Sequence, residues 1–133
     1  MATLMGVPKN DVVHKPLIYL ASPHKSDDNY QRDRQIDLTK TAVAEFLNSG
    51  YNVYSPVLYR NTMPRVIETW QGFERAMIDK CDEFWLLIVR GVESNRSEYA
   101  YAELVGKPIR QLTRSGGKFQ LSDLIGKASV KHL

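Results

Sequence analysis

The sequence predicts an α/β protein built on a small doubly wound parallel sheet of four or five strands, with helices on both faces. Two observations carry this. Short apolar runs of strand length alternate with longer segments whose apolar residues recur at helical spacing. The runs Pro16-Leu-Ile-Tyr-Leu-Ala21 and Phe84-Trp-Leu-Leu-Ile-Val89 are also apolar almost throughout, as strands covered on both faces must be. The resulting β-α-β-α-β-α-β order is that of a Rossmann-like or flavodoxin-like sheet.

The elements follow in order. Residues 1–15 show neither period and read as a flexible arm, leaving a single domain over 16–126 and a tail over 127–133. The first strand covers 16–21, and a polar loop follows over 22–29. Residues 30–49 read as a helix with an apolar stripe of Ile36, Val43, Phe46 and Leu47, capped by Gly50. The second strand, 52–55, ends at Pro56, and 57–64 read as a loop. Val66, Ile67, Trp70, Phe73, Met77 and Cys81 place an amphipathic helix over 65–80, with Pro64 at its start. The third strand spans 84–89. A short polar loop leads into a helix over 97–105, which Gly106 and Pro108 end. Residues 109–112 form a fourth strand, 113–118 a basic turn, and 119–125 a short strand or helical turn. Trp70 and Trp85 read as core residues rather than base-stacking platforms.

Composition narrows the function classes. With 133 residues, 43% hydrophobic and 25% charged, the chain suits one soluble domain. No apolar run has the length of a membrane span, and no signal-peptide pattern opens the chain. One cysteine, Cys81, permits no intrachain disulfide and fits a reducing, cytoplasmic setting. Three scattered histidines and one cysteine give no metal-ligand spacing, so neither metal nor cofactor is expected. The net charge of +3 suits an anionic small molecule. Lys107, Arg110, Arg114 and Lys118 are a weak case for nucleic acid, because no aromatics are interleaved with them.

One residue draws attention on chemical grounds. Glu98 follows a buried strand and falls in the first turn of the next helix, where the dipole and the unpaired N–H groups favour a charged carboxylate. In parallel sheets ligands bind beyond the carboxyl ends of the strands. Asn95 and Glu98 also fit a capping box, a purely structural role for the same residue.

Three motifs together resemble a known family. They are Ile18-Tyr-Leu-Ala-Ser-Pro23, the acidic helix Glu74-Arg-Ala-Met-Ile-Asp-Lys-Cys-Asp82, and Glu98-Tyr-Ala-Tyr-Ala102 with Gly106-Lys-Pro108 behind it. Their order and spacing are similar to the nucleoside 2-deoxyribosyltransferase-like superfamily, which includes the 2'-deoxynucleoside 5'-phosphate N-hydrolases. The resemblance implies cleavage of the N-glycosidic bond of a nucleotide or nucleoside, with hydrolysis favoured over deoxyribosyl transfer. It implies that Glu98 is the nucleophile, that Tyr19 orients it, and that Glu74 handles the proton at the base. It further implies a homo-oligomer. Ser22, His24 and Lys25 after the first strand suit a 5'-phosphate, and Ser94 and Ser97 lie in the loop that in the family contacts phosphate or sugar. Two positions depart from the family pattern: Glu74 replaces the usual aspartate, and the loop before Glu98 is short and lacks the usual Ser-x-Gly glycine. They motivate the alternative, a module on the same fold that binds or senses a nucleotide without cleaving it.

Overall fold

The computed structural model describes residues 15–23, 28–64, 70–89 and 96–124. The expected arm (save Lys15), the tail and the first turn of the helix expected over 65–80 lie outside these residues. The element order is β1 (Leu17–Ala21), α1 (Asn29–Asn48), β2 (Asn52–Tyr54), α2 (Pro56–Asn61), α3 (Trp70–Lys80), β3 (Glu83–Leu87), α4 (Arg96–Leu104), β4 (Ile109–Ser115) and β5 (Lys118–Leu121).

The sheet runs β2-β1-β3-β4-β5. The first three pairings are parallel, as expected for a doubly wound sheet. The last is antiparallel, so the sheet is mixed rather than wholly parallel. The reason is local. Gly116 and Gly117 both take positive φ, 58° and 79°, which is what a tight two-residue hairpin needs. Only these two residues form the turn expected over 113–118; the residues before them extend β4 through Ser115.

Alternation along β1 and β3 sends side chains to opposite faces. Tyr19, Ala21, Phe84 and Leu86 pack with Ile78 and Ala102 under α3 and α4. Ile18, Leu20, Trp85 and Leu87 pack with Ala42 under α1. Trp85 is 1% exposed and meets Phe46 and Tyr51 edge-on at 4.9 and 5.3 Å, so it is core, as expected. Asp82 marks the strand entry: its Oδ2 accepts from the Leu17 N–H at 2.7 Å, tying β1 to β3.

Capping explains the helix ends. Asp28 accepts from the Tyr30 N–H and starts α1. At its end the Gly50 N–H donates to Leu47 O, the Tyr51 N–H donates to Phe46 O, and Gly50 has φ 98°. That is a Schellman ending with its usual contact, here between the Phe46 and Tyr51 rings. The same pattern closes α4, through Gly106 to Glu103 O and Lys107 to Ala102 O.

Two expectations are corrected here. Residues 57–64 were expected to be loop, but α2 begins at Pro56. Ser55 accepts from the Leu58 N–H as its N-cap, and Pro56 opens the helix instead of merely ending a strand. The buried face of α1 is Gln35, Thr39 and Ala42, while Leu47 is 48% exposed. Two polar residues therefore occupy the line against the sheet.

Candidate functional site

Glu98 is the third residue of α4 and is buried, 5% exposed. Its Oε2 accepts a hydrogen bond from the Tyr19 hydroxyl, across 79 positions of sequence. Tyr19 is wholly buried in the middle of β1. Its ring stacks on Phe84 at 5.5 Å and 12° and tilts against Tyr54 at 5.6 Å. Both rings belong to neighbouring strands, so the sheet itself aims the hydroxyl. Burial, then the Glu98 carboxylate, push the Tyr19 phenol far above its ordinary range, so it stays a donor at any working pH.

Glu74 lies on α3 and is also buried, 6% exposed. Arg60 of α2 holds it, Nε to Oε2 at 2.8 Å, and the Arg60 guanidinium covers the Trp70 ring at 5.3 Å. A narrow cleft joins the two carboxylates. It is lined by Gln71, Glu74, Arg75, Ile78, Ser97 and Glu98. The Tyr54 hydroxyl is buried nearby and has no hydrogen-bond partner among the described residues. Burial, then Glu74, raise its phenol well above the ordinary range, with Tyr59 and Glu98 adding to the shift. Cys81 sits in the same core cluster. Burial pushes its thiol up to about 11, so it is not a nucleophile near neutrality.

The structure thus brings together Tyr19, Glu74, Glu98 and Ser97. It does not bring Ser22 to this cleft: the Ser22 hydroxyl is buried and accepts from Thr39 Oγ1 of α1 at 3.1 Å. His24, Lys25 and Ser94 lie outside the described residues, as does the expected N-cap Asn95. Of the basic residues weighed for nucleic acid, Lys107 donates to the Cys81 and Asp79 carbonyls, and Arg110 pairs with Glu83 at 3.1 Å. Sequence reasoning missed Arg60 and Tyr54. The Ser55-Pro56 pair was the available signal for the helix carrying Arg60.

The site stands at the carboxyl-end side of the sheet. β1 and β3 are neighbours there, and the chain leaves them toward opposite faces, α1 on one and α4 on the other. This is the switch point where open α/β sheets take ligands. Chemically, a buried carboxylate with one oxygen fixed by a phenol is a nucleophile or a base. A second carboxylate beside it can move a proton. Among the described residues no three His, Cys, Asp or Glu side chains gather as a metal site, and no helix is long and apolar enough to cross a membrane.

No protein-family model and no curated protein sequence matches the chain. Solved structures do. A CMP N-glycosidase of Clostridium botulinum is 16% identical, with a TM-score of 0.51 over 73% of this chain and 71% of its own. A 2-deoxyribosyltransferase of Bacillus psychrosaccharolyticus is 21% identical, with a TM-score of 0.51 over 75% of this chain and 74% of its own. The chain has the nucleoside 2-deoxyribosyltransferase-like fold.

Proposed function

We propose that this protein cleaves the N-glycosidic bond of a nucleotide or nucleoside, as a hydrolase rather than a transferase. The observation that carries the reading is the buried hydrogen bond from Tyr19 to Glu98, with Glu74 lining the same cleft. The two structural neighbours, an N-glycosidase and a deoxyribosyltransferase, support the same class of bond.

The proposed steps use these side chains. A Glu98 carboxylate oxygen attacks the anomeric carbon of the sugar. The bond from that carbon to the base nitrogen breaks, its electron pair leaves with the base, and Glu74 as the acid supplies the proton. A glycosyl ester on Glu98 results. Water then attacks the same carbon, Glu74 takes the water's proton, and Glu98 is released as carboxylate. Tyr19 holds one carboxylate oxygen and so sets the direction of the group. Substrate entry requires the exposed Gln71 and Arg75 side chains to swing aside, since the cleft between the carboxylates is only about 10 Å³. Ser97 at its rim suits a sugar or phosphate oxygen, and His24, Lys25 and Ser94 remain proposed substrate contacts. The proposal includes a homo-oligomer and a cytoplasmic setting, the latter suited to one free cysteine.

One observation favours the alternative of a nucleotide-binding module without activity. Glu74 is tied to Arg60 and so is not placed, as it stands, to protonate a departing base. One experiment separates the two. The protein is incubated with a panel of ribo- and deoxyribonucleotides, and free base is followed by chromatography. The Glu98 peptide is examined by mass spectrometry for a glycosyl adduct. Base release with an adduct on Glu98 supports the hydrolase; tight binding with no base released supports the module.

A further inference from the structure

We propose a second ligand site, on the face of the sheet opposite Glu98, that takes a nucleoside monophosphate. It is a cleft of about 590 Å³ between the first half of α1 and the carboxyl ends of β3 and β4. That volume is in the range of small-molecule sites. Its lining includes Tyr30, Arg34, Gln35, Leu38, Val89 and Arg114, and among the described residues it shares none with the cleft at Glu98.

The central observation is Gln35. Its side chain is 4% exposed, and neither its amide nitrogen nor its amide oxygen has a hydrogen-bond partner among the described residues. Buried amides are costly to leave unmet and are rarely left so. A helix packing on a sheet would ordinarily carry an aliphatic residue there, as it carries Ala42 two turns on. An amide presents a donor and an acceptor side by side, the complement of a nucleobase edge. Leu38 and Val89 beside it supply apolar walls for a planar ring.

The rim supplies the rest. Arg34 lies over the Tyr30 ring at 5.6 Å, and Arg114 lies over Phe119 at 5.1 Å. Neither guanidinium has a carboxylate partner among the described residues. Among the described residues of the lining, Asp37 is the only acidic one, against two arginines. Two forked cations at the mouth suit a phosphate, and the amide below them suits the base. A nucleotide would therefore lie base inward and phosphate outward.

The proposal does not depend on the hydrolase reading. The test uses full-length Glu98→Gln, so that no turnover occurs, titrated by calorimetry with AMP, CMP, GMP, UMP and inorganic phosphate. At least one nucleotide is expected to show a binding phase that Gln35→Leu weakens tenfold or more and that Arg114→Ala also weakens. Gln35→Leu keeps the size of the side chain and removes an unmet amide, so its melting temperature is expected to match or exceed that of the parent. In the otherwise wild-type protein it leaves base release unchanged. Gln35-sensitive binding in a protein that releases no base keeps this site and sinks the reaction. Two results overturn the site: no phase that responds to either substitution, or phosphate alone binding as tightly as every nucleotide.

Discussion

Replacing Tyr19 by Phe removes one oxygen and little else. The ring keeps its stack on Phe84 and its contact with Tyr54, so packing is held constant. What is lost is a hydrogen bond to a buried carboxylate. Hydrogen bonds to charged groups contribute about 1.5–3 kcal/mol, and the abandoned acceptor here is only 5% exposed, so little water can replace the donor. We expect Tyr19→Phe to be destabilised by about 2–3 kcal/mol at pH 7 in urea unfolding. For a chain of this length that corresponds to a fall of roughly 8–12 °C in melting temperature. With Glu98→Gln the partner becomes neutral and the bond ordinary. The double-mutant cycle should then return a coupling of about 1 kcal/mol, the difference between a charged and a neutral acceptor. Base release should fall by about 10²-fold, because the carboxylate loses the Tyr19 bond that helps to aim it. A Tyr19→Phe protein as stable as wild type, with no coupling to Glu98→Gln, would refute the reasoning.

Three further outcomes are expected. Arg60→Ala removes an ion-pair partner from the buried Glu74 and should cost about 1–3 kcal/mol, discounted for the partial exposure of Arg60; Glu74→Gln in the same protein should recover part of it, and full stability of Arg60→Ala in urea would contradict this. Burial raises the Cys81 thiol from 9.0 to about 11, so between these pH values the native state keeps a proton that the unfolded chain has lost. Stability is then complete below pH 9 and falls as pH rises through 11, by about 2–3 kcal/mol in all. Tyr19 and Tyr54, both raised, add to the loss above their ordinary range, so the pH 9–10 segment of the unfolding curve reports on Cys81, and Cys81→Ala should flatten it. Finally, Tyr59, Trp70 and Phe73 form a contiguous aromatic cluster, with Tyr59 40% and Phe73 41% exposed. We expect it to be covered by a second copy of the chain. Light scattering at roughly tens of micromolar should show an oligomer that Phe73→Glu dissociates, and a monomeric wild type would count against it.

Much of the fold was legible because buried parallel strands announce themselves. Ile18-Tyr-Leu-Ala21 and Phe84-Trp-Leu-Leu87 must be apolar on both sides, and no turn residue interrupts them. The helix ends were legible for the same kind of reason, since Gly50 and Gly106 supply the positive φ that their endings use. What was not legible depends on context. Pro56 ends a strand and begins a helix equally well, and only the N-cap bond from Leu58 to Ser55 decides. β4 runs on through Thr113, Arg114 and Ser115 because its partner there is an exposed hairpin strand, which makes no demand for apolar residues. Counting apolar residues found Val43 and Phe46, which pack on the core, but missed the buried line of Gln35, Thr39 and Ala42, because two of those three are polar. In the site, Glu98 and Tyr19 could be paired beforehand through a family resemblance, but Arg60 could not, since its helix was itself unrecognised. Tyr54 was hidden among ordinary strand aromatics.

The central claim rests on one carboxylate. The most direct measurement compares base release by the wild-type protein and by Glu98→Gln on the best nucleotide of the panel, with the melting temperatures recorded alongside. Glutamine keeps the size and can still accept from Tyr19, but an amide is a very poor nucleophile. The account predicts that Glu98→Gln melts within a few degrees of wild type, since the bond from Tyr19 is kept, and that its base release falls by several orders of magnitude. A Glu98→Gln protein that releases base nearly as fast as the wild type would contradict it.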